Sequence, residues 1–168
     1  MANTAWPVRN LILALAYYLT GLAGLLLTSP PDYATAIWPP AGIALAAALM
    51  YGPRILPGVV LGAFVINVET LARNLGASVG QVSWVMPLLI ALGAAAQAWA
   101  GAALARRFGG FPTAFEETAG VLRTLALGGL VATLINASWG MFLLYGSHAM
   151  TDGRIVQNAL VWWVGDSL

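Results

Sequence analysis

The chain contains no cysteine and no lysine. The first absence excludes disulfides, thiolate metal sites and cysteine nucleophiles within this sequence. The second excludes a lysine Schiff base, and with it retinal photochemistry and pyridoxal chemistry. All seven basic residues are arginines. A single histidine, His148, cannot supply both axial ligands of a haem. Charge of either sign is scarce, 8% of residues against roughly 25% in soluble domains. A net charge of +1 offers a nucleic-acid backbone nothing to bind. Neither a cofactor nor a nucleic-acid partner is expected.

What is abundant is apolar surface, 60% of 168 residues. A soluble domain of this length could not bury so much, so the expected class is an all-α integral membrane protein, a polytopic helical bundle. The first apolar run, Leu11 to Leu27, follows Arg9. It exceeds the roughly 7–15 residues of a signal-peptide core and no clean cleavage site follows, so a first membrane helix is expected. Apolar runs near the spanning length predict about six segments: Asn10–Thr28, Ala34–Tyr51, Ile55–Leu71, Val82–Leu104, Leu122–Tyr145, and one that begins near Ile155 and continues to the end. With the N-terminus cytoplasmic, Arg9, Arg54, Arg106, Arg107 and Arg123 fall inside, and Arg73 and Arg154 outside. That asymmetry follows the positive-inside rule.

Two segments depart from plain spans. Trp38-Pro39-Pro40 interrupts the second, because proline lacks a backbone donor and clashes with the preceding turn. A helix from Pro40 to Tyr51 would rise only about 18 Å, short of a hydrocarbon core of about 30 Å, so a broken or partly re-entrant segment is expected. The third starts after Pro57, with Gly58 and Gly62 at GxxxG spacing. A pair of short, Pro/Gly-interrupted segments points to a binding site, since irregular backbone at membrane depth survives when packed in protein or lining a wet cavity. Equally, "YGPRILPG" reads as an ordinary tight cytoplasmic turn.

Polar residues inside these runs are the candidate cavity residues. Gly93, Ala94, Gln97 and Gly101 share one helical face, and Gly129, Ala132, Thr133, Asn136 and Gly140 share another. Small residues allow close helix approach in lipid, and the amides of Gln97 and Asn136 then point into the bundle. There they either contact a polar ligand or bind helices together, at about 0.6 kcal/mol each. Glu69 lies on the Gly58/Gly62 face near the outer end of its span, while Asn67 points elsewhere. Glu69 at a cavity mouth could recognise a cationic or hydroxylated solute, or it pairs with Arg73 four residues on. Glu116 and Glu117 read as solvated loop charges. His148 and Asp152 have no further ligand candidates beside them, so no metal site is expected.

The chain closes on "LVWWVGDSL". Gly165-Asp166-Ser167-Leu168 matches four letters of a serine-hydrolase nucleophile motif, but a serine nucleophile needs a base and oxyanion donors around it. Hydrolases known for that motif carry it near the N-terminus after a strand, with the base much later. Here the motif lies on a membrane segment and the one histidine is in an outer loop, so no catalysis is expected. Asp166 reads instead as an intramembrane carboxylate, costing roughly 2.5–3.5 kcal/mol to insert, and such groups face a cavity or a partner. If its helix starts near Ile155 on the outside, Asp166 lies about 16 Å deep, beside Gln97 and Asn136. It either serves function or locks helices through hydrogen bonds.

Together these residues resemble the MASE1 domain, a membrane sensor domain of bacterial signalling proteins. The resemblance rests on Trp38-Pro39-Pro40-Ala41-Gly42, Gly52, Pro57-Gly58, Gly62 and Asn67, on "ALGAAAQAWAGAALARR", and on Trp163, Gly165 and Asp166. It covers essentially the whole chain, which reads as a single domain, 1–168. The resemblance implies a bundle of about eight helices in the bacterial inner membrane. Such a bundle is the input of histidine kinases and of cyclic-di-GMP synthases or phosphodiesterases. It carries no defined ligand residues over. Two departures stand out: Leu56 occupies a position often held by tryptophan, and the sequence stops inside the sixth span, without the last two helices or an output domain.

The expected function is therefore a non-enzymatic, multi-pass sensory input module, with Trp38, Asn67, Glu69, Gln97, Asn136 and Asp166 as candidate ligand or cavity residues. Expected partners are the lipid bilayer, a cytosolic output domain in cis on a longer chain, a second copy in a homodimer, and a small ligand or membrane protein. Two alternatives stand beside it: a small solute transporter or substrate-binding membrane subunit, and a scaffold without a ligand.

Overall fold

A computed structural model describes residues 5–27, 35, 37–112, 116–147 and 155–168. Those residues form helices and connections, with no strand among them. The elements are α1 (Ala5–Leu25), α2 (Pro39–Tyr51), α3 (Leu56–Leu75), α4 (Val85–Leu104), α5 (Thr118–Thr124), α6 (Thr133–Gly146) and α7 (Ile155–Ser167). Four continuous helical runs among the described residues are long and apolar enough to cross a membrane: Ala5–Leu25, Pro39–Leu75, Val85–Gly109 and Thr118–Gly146. The second run joins α2 and α3, which the apolar pattern separates.

The start of α2 follows from its prolines. Trp38 is non-helical, at φ −125° and ψ 78°, and Pro39 and Pro40 occupy the first turn. There a missing N–H leaves no helical bond unmade and the fixed φ suits the helix. The helix is 13 residues long, about 20 Å, so it is a partial span. At its other end Gly52 takes φ +72°, open to glycine without a steric cost, and returns its N–H to Ala48 O. The Arg106 guanidinium donates to Ala48 O and Leu49 O, both at 2.7 Å, adding a second donor at Ala48 O and holding the end of α2. A 3-10 turn, Gly52–Ile55, then leads into α3, with Pro57 in its first turn. So "YGPRILPG" is the tight connection of the two readings.

The Gly58/Gly62 face packs on α1. The Gly58 N–H donates to Asn10 Oδ1 at 2.6 Å, and Asn10 Nδ2 donates to Trp6 O and Arg54 O. A Cβ at Gly62 would lie 2.7 Å from Tyr17 Cβ and 2.8 Å from Ala14 O. Only glycine permits that approach, and in lipid such packing is what drives association.

Helix α4 sits centrally, packing on α2, α3 and α6, while α7 bridges α2 and α6. Over half of its apolar window is buried, 56%, the highest share of the four runs. Val59, Ala63, Ile66 and Ala91 are fully enclosed. Leu11, Ile12, Leu15 and Leu19 of α1 and Leu134 and Phe142 of α6 face outward. An apolar exterior of this kind suits lipid as solvent.

Two π-helical stretches extend the long helices, Ala105–Gly109 after α4 and Leu125–Val131 before α6. A wide turn leaves carbonyls off the usual ladder, and α7 supplies donors for them. Trp163 Nε1 donates to Leu130 O at 2.8 Å, and Ser167 Oγ to Gly129 O at 3.3 Å. Thr133 Oγ1 also donates to Gly129 O and lies 3.0 Å from Ser167 Oγ. The Ser167 hydroxyl is further bound to Trp163 O at 2.6 Å. It is thus committed to helix packing.

Candidate functional site

The site forms where the start of α2 meets α7 inside the bundle. The Trp38 N–H, just ahead of α2, donates to Gly165 O in the last turn of α7 at 2.8 Å. One backbone hydrogen bond therefore joins the two motifs that carry the family resemblance, Trp-Pro-Pro and Trp-x-Gly-Asp. The adjacent residue, Asp166, is buried, with 6% of its surface exposed.

Its surroundings come from three helices. Asn136 of α6 donates Nδ2 to Asp166 Oδ2 at 3.0 Å. Gln97 of α4 and Trp162 of α7 lie beside the carboxylate. An ionised carboxylate only accepts, so each amide must turn its nitrogen toward it. That orientation leaves Gln97 Oε1 and Asn136 Oδ1 buried without a partner among the described residues. Both amides sit behind the carboxylate and hold it. Gly93 makes room for Asn136: a Cβ there would come 2.7 Å from Asn136 Oδ1.

In front of the carboxylate is a cavity of about 40 Å³, lined in part by Tyr17, Thr35, Trp38, Asn67, Thr70 and Asp166. A water needs only about 10–15 Å³ of such space, so the cavity accommodates several waters or one small polar group. Trp38 Nε1 makes a long 3.4 Å hydrogen bond to the hydroxyl of Tyr17, which is 2% exposed. Asn67 lines the cavity while returning its own Nδ2 to Ala63 O at 2.8 Å. Asn67, Thr70, Ile90 and Trp162 also line a wider space of about 570 Å³. That space lies among the C-terminal ends of α3 and α6, the start of α4, and α7, with Leu71, Leu75, Met86 and Leu144 in its walls.

Five of the six residues expected at a cavity thus converge: Trp38, Asn67 and Asp166 on its wall, Gln97 and Asn136 behind it. Glu69 does not join them. It bonds the Tyr18 hydroxyl of α1 at 2.7 Å and pairs with Arg73, which is the ion-pair reading of that residue with a tyrosine added. Facing α1 with Gly58 and Gly62 is what keeps it away. Composition missed Tyr17 and Trp162. The signal for Tyr17 was present: Leu13, Ala14, Tyr17, Gly21 and Gly24 form the buried stripe of α1 at helical spacing. His148 and Asp152 lie outside the described residues. Among the described residues no group of three His, Cys, Asp or Glu side chains could hold a metal.

An all-helical bundle with an apolar exterior, membrane-length helices and one buried carboxylate at its polar centre belongs to the class of membrane-embedded domains. More specifically, the MASE1 family profile matches residues 8–168, so the chain belongs to the MASE1 family of membrane-associated sensor domains. No curated protein and no solved structure matches it.

Proposed function

We propose that this domain is the sensory input of a bacterial signal-transduction protein, multi-pass in the inner membrane. In this reading it passes a bias to a cytosolic output domain on a longer chain, a histidine kinase or a cyclic-di-GMP synthase or phosphodiesterase. Catalysis belongs to that output domain. The carrying observation is the Trp38–Gly165 junction beside Asp166. An occupant of the cavity touches the start of α2, through Trp38, and α7, through Asp166, and so can favour one arrangement of the two helices over another.

The arrangement of arginines supports an N-terminus in the cytoplasm. Arg9 and Arg54 flank the Trp6 ring at 5.2 and 5.7 Å, and Arg106 reaches the end of α2. Arg73 lies near the opposite end of α3. The cavity and the wider space then open toward the outer side, where a stimulus from outside the cell would arrive.

The test begins with the gene beyond Leu168. Two further apolar spans followed by a kinase or cyclic-dinucleotide domain are expected. In that full-length protein, Asp166→Asn should change basal or stimulated output without changing its amount in the membrane. An open reading frame without any output domain would refute the proposal. A second reading, a solute transporter or substrate-binding subunit, draws on the partial helices meeting at a buried carboxylate. Asp166-dependent uptake of solute into vesicles would favour it over the first.

A further inference from the structure

The two spaces share Asn67, Thr70, Ile90 and Trp162 in their walls and have a definite chemistry. Among the described residues, Asp166 is the one charged residue lining either of them. No arginine of the described residues approaches it, since Arg106 is spent on α2 carbonyls and Arg73 on Glu69. An ionised carboxylate has about four lone-pair sites. Asn136 occupies one of them, and Asp166 itself lines the cavity, so an acceptor position remains on the cavity side. Beside it stand the indoles of Trp38 and Trp162 and the hydroxyls of Tyr17, Thr35 and Thr70. The wider space is mostly apolar, and its volume of about 570 Å³ falls within the usual range of small-molecule sites, roughly 300–1,000 Å³.

Each ligand class meets these facts differently. An anion faces the carboxylate with no cation to offset it. A sugar would leave its hydroxyls unpaired against Leu71, Leu75, Met86 and Leu144. A bare metal ion lacks a ligand set among the described residues, and indoles do not coordinate it. A protonated amine fits at both ends: its N–H donors match the open acceptor position, and indoles attract cations through their rings. Its apolar substituent then replaces water in the wider space.

We propose that the Asp166 cavity and the adjoining space form one binding site for a small organic amine, with its ammonium group at Asp166 and its apolar body between α3, α4, α6 and α7. The ligand class deepens the sensory reading and rests on it for its biological meaning, while the binding itself is measured separately.

Full-length protein in nanodiscs is dialysed to equilibrium against labelled 2-phenylethylamine, with butylamine, 2-phenylethanol and ammonium chloride as competitors. Saturable binding is expected, displaced by butylamine, with 2-phenylethanol weaker by about 30-fold or more, the ratio for an unpaired buried charge partner. Asp166→Asn should lose binding by a similar factor while retaining its melting temperature. Should that variant fail to fold, Leu75→Trp carries the test. Leu75 is 62% exposed at the rim of the wider space, so the substitution leaves the core intact and should weaken binding about tenfold by filling the site. Absence of saturable binding by either amine, equal affinity for the alcohol, or unchanged binding in both variants overturns the proposal. Displacement by ammonium chloride as effective as by butylamine also overturns it, because the site would then take a bare cation. If the amine binds while output is unchanged, the site stands and the sensory reading fails. If output depends on Asp166 but no amine binds, the sensory reading stands and the ligand class fails.

Discussion

The sharpest test of the buried polar centre is a double-mutant cycle on Asn136 and Asp166. Their 3.0 Å hydrogen bond joins two side chains that are 3% and 6% exposed. Side-chain hydrogen bonds inside membrane proteins average about 0.6 kcal/mol and reach about 1.7, because the unfolded helices also find partners in the bilayer. A charged acceptor raises the value toward about 1.5–3 kcal/mol. Gln97 and Trp162 remain beside the carboxylate when Asn136 is removed, so the group keeps polar neighbours. The two opposing effects place the coupling at about 1–1.5 kcal/mol. Asn136→Ala, Asp166→Ala and the double variant should be unfolded in mixed micelles by titration with a denaturing detergent. The coupling is read from the failure of the two single effects to add. A value within about 0.3 kcal/mol of zero, the ordinary additivity error, would refute the argument that Asn136 holds the carboxylate.

Three further outcomes follow from the same packing. Gly62→Ala should destabilise by about 1–3 kcal/mol in the same titration, because its new Cβ meets Ala14 O, backbone that cannot swing aside; Gly42→Ala, with open space at its Cβ, should not. Arg106→Ala should cost about 1 kcal/mol through the charged donor it removes from Leu49 O and from Ala48 O, the latter keeping the Gly52 N–H, and hydrogen exchange should rise at the C-terminal turn of α2. Glu69→Gln should shift stability by no more than about 0.5 kcal/mol, since its partner Arg73 is 56% exposed and the pair is screened; a large loss of signalling in this variant would show that Glu69 has a role its contacts do not account for.

Much of this organisation was legible because lipid simplifies the code. An apolar run near spanning length has few alternatives to a helix, and the apolar runs fall on helices, of which four continuous stretches among the described residues are long and apolar enough to cross a membrane. The residues that converge were legible for the same reason: an amide or carboxylate inside such a run has to turn inward. What could not be read were features of backbone register. The π stretch at Leu125–Val131 has no compositional signature, because the helix widens to suit a neighbour. Without it, the roles of Trp163 and Ser167 as donors to Leu130 O and Gly129 O are invisible.

The Trp38–Gly165 hydrogen bond shows why the two most distinctive motifs stand far apart in the chain and side by side in the fold. A proline pair starts α2 without wasting helical donors, but it does so only after a residue whose own N–H has left the helix. Inside a bundle that N–H must find an acceptor. Gly165 O of α7 supplies one, and the space beside that contact is where Asp166 meets the cavity. Without it the Trp38 N–H would be a bare backbone group in an apolar interior. Substituting Trp38, by contrast, would spare the backbone bond and remove only the indole, so the junction and the cavity wall can be separated by experiment: Trp38→Ala should enlarge the cavity and alter ligand binding, while the Trp38–Gly165 amide remains protected from hydrogen exchange.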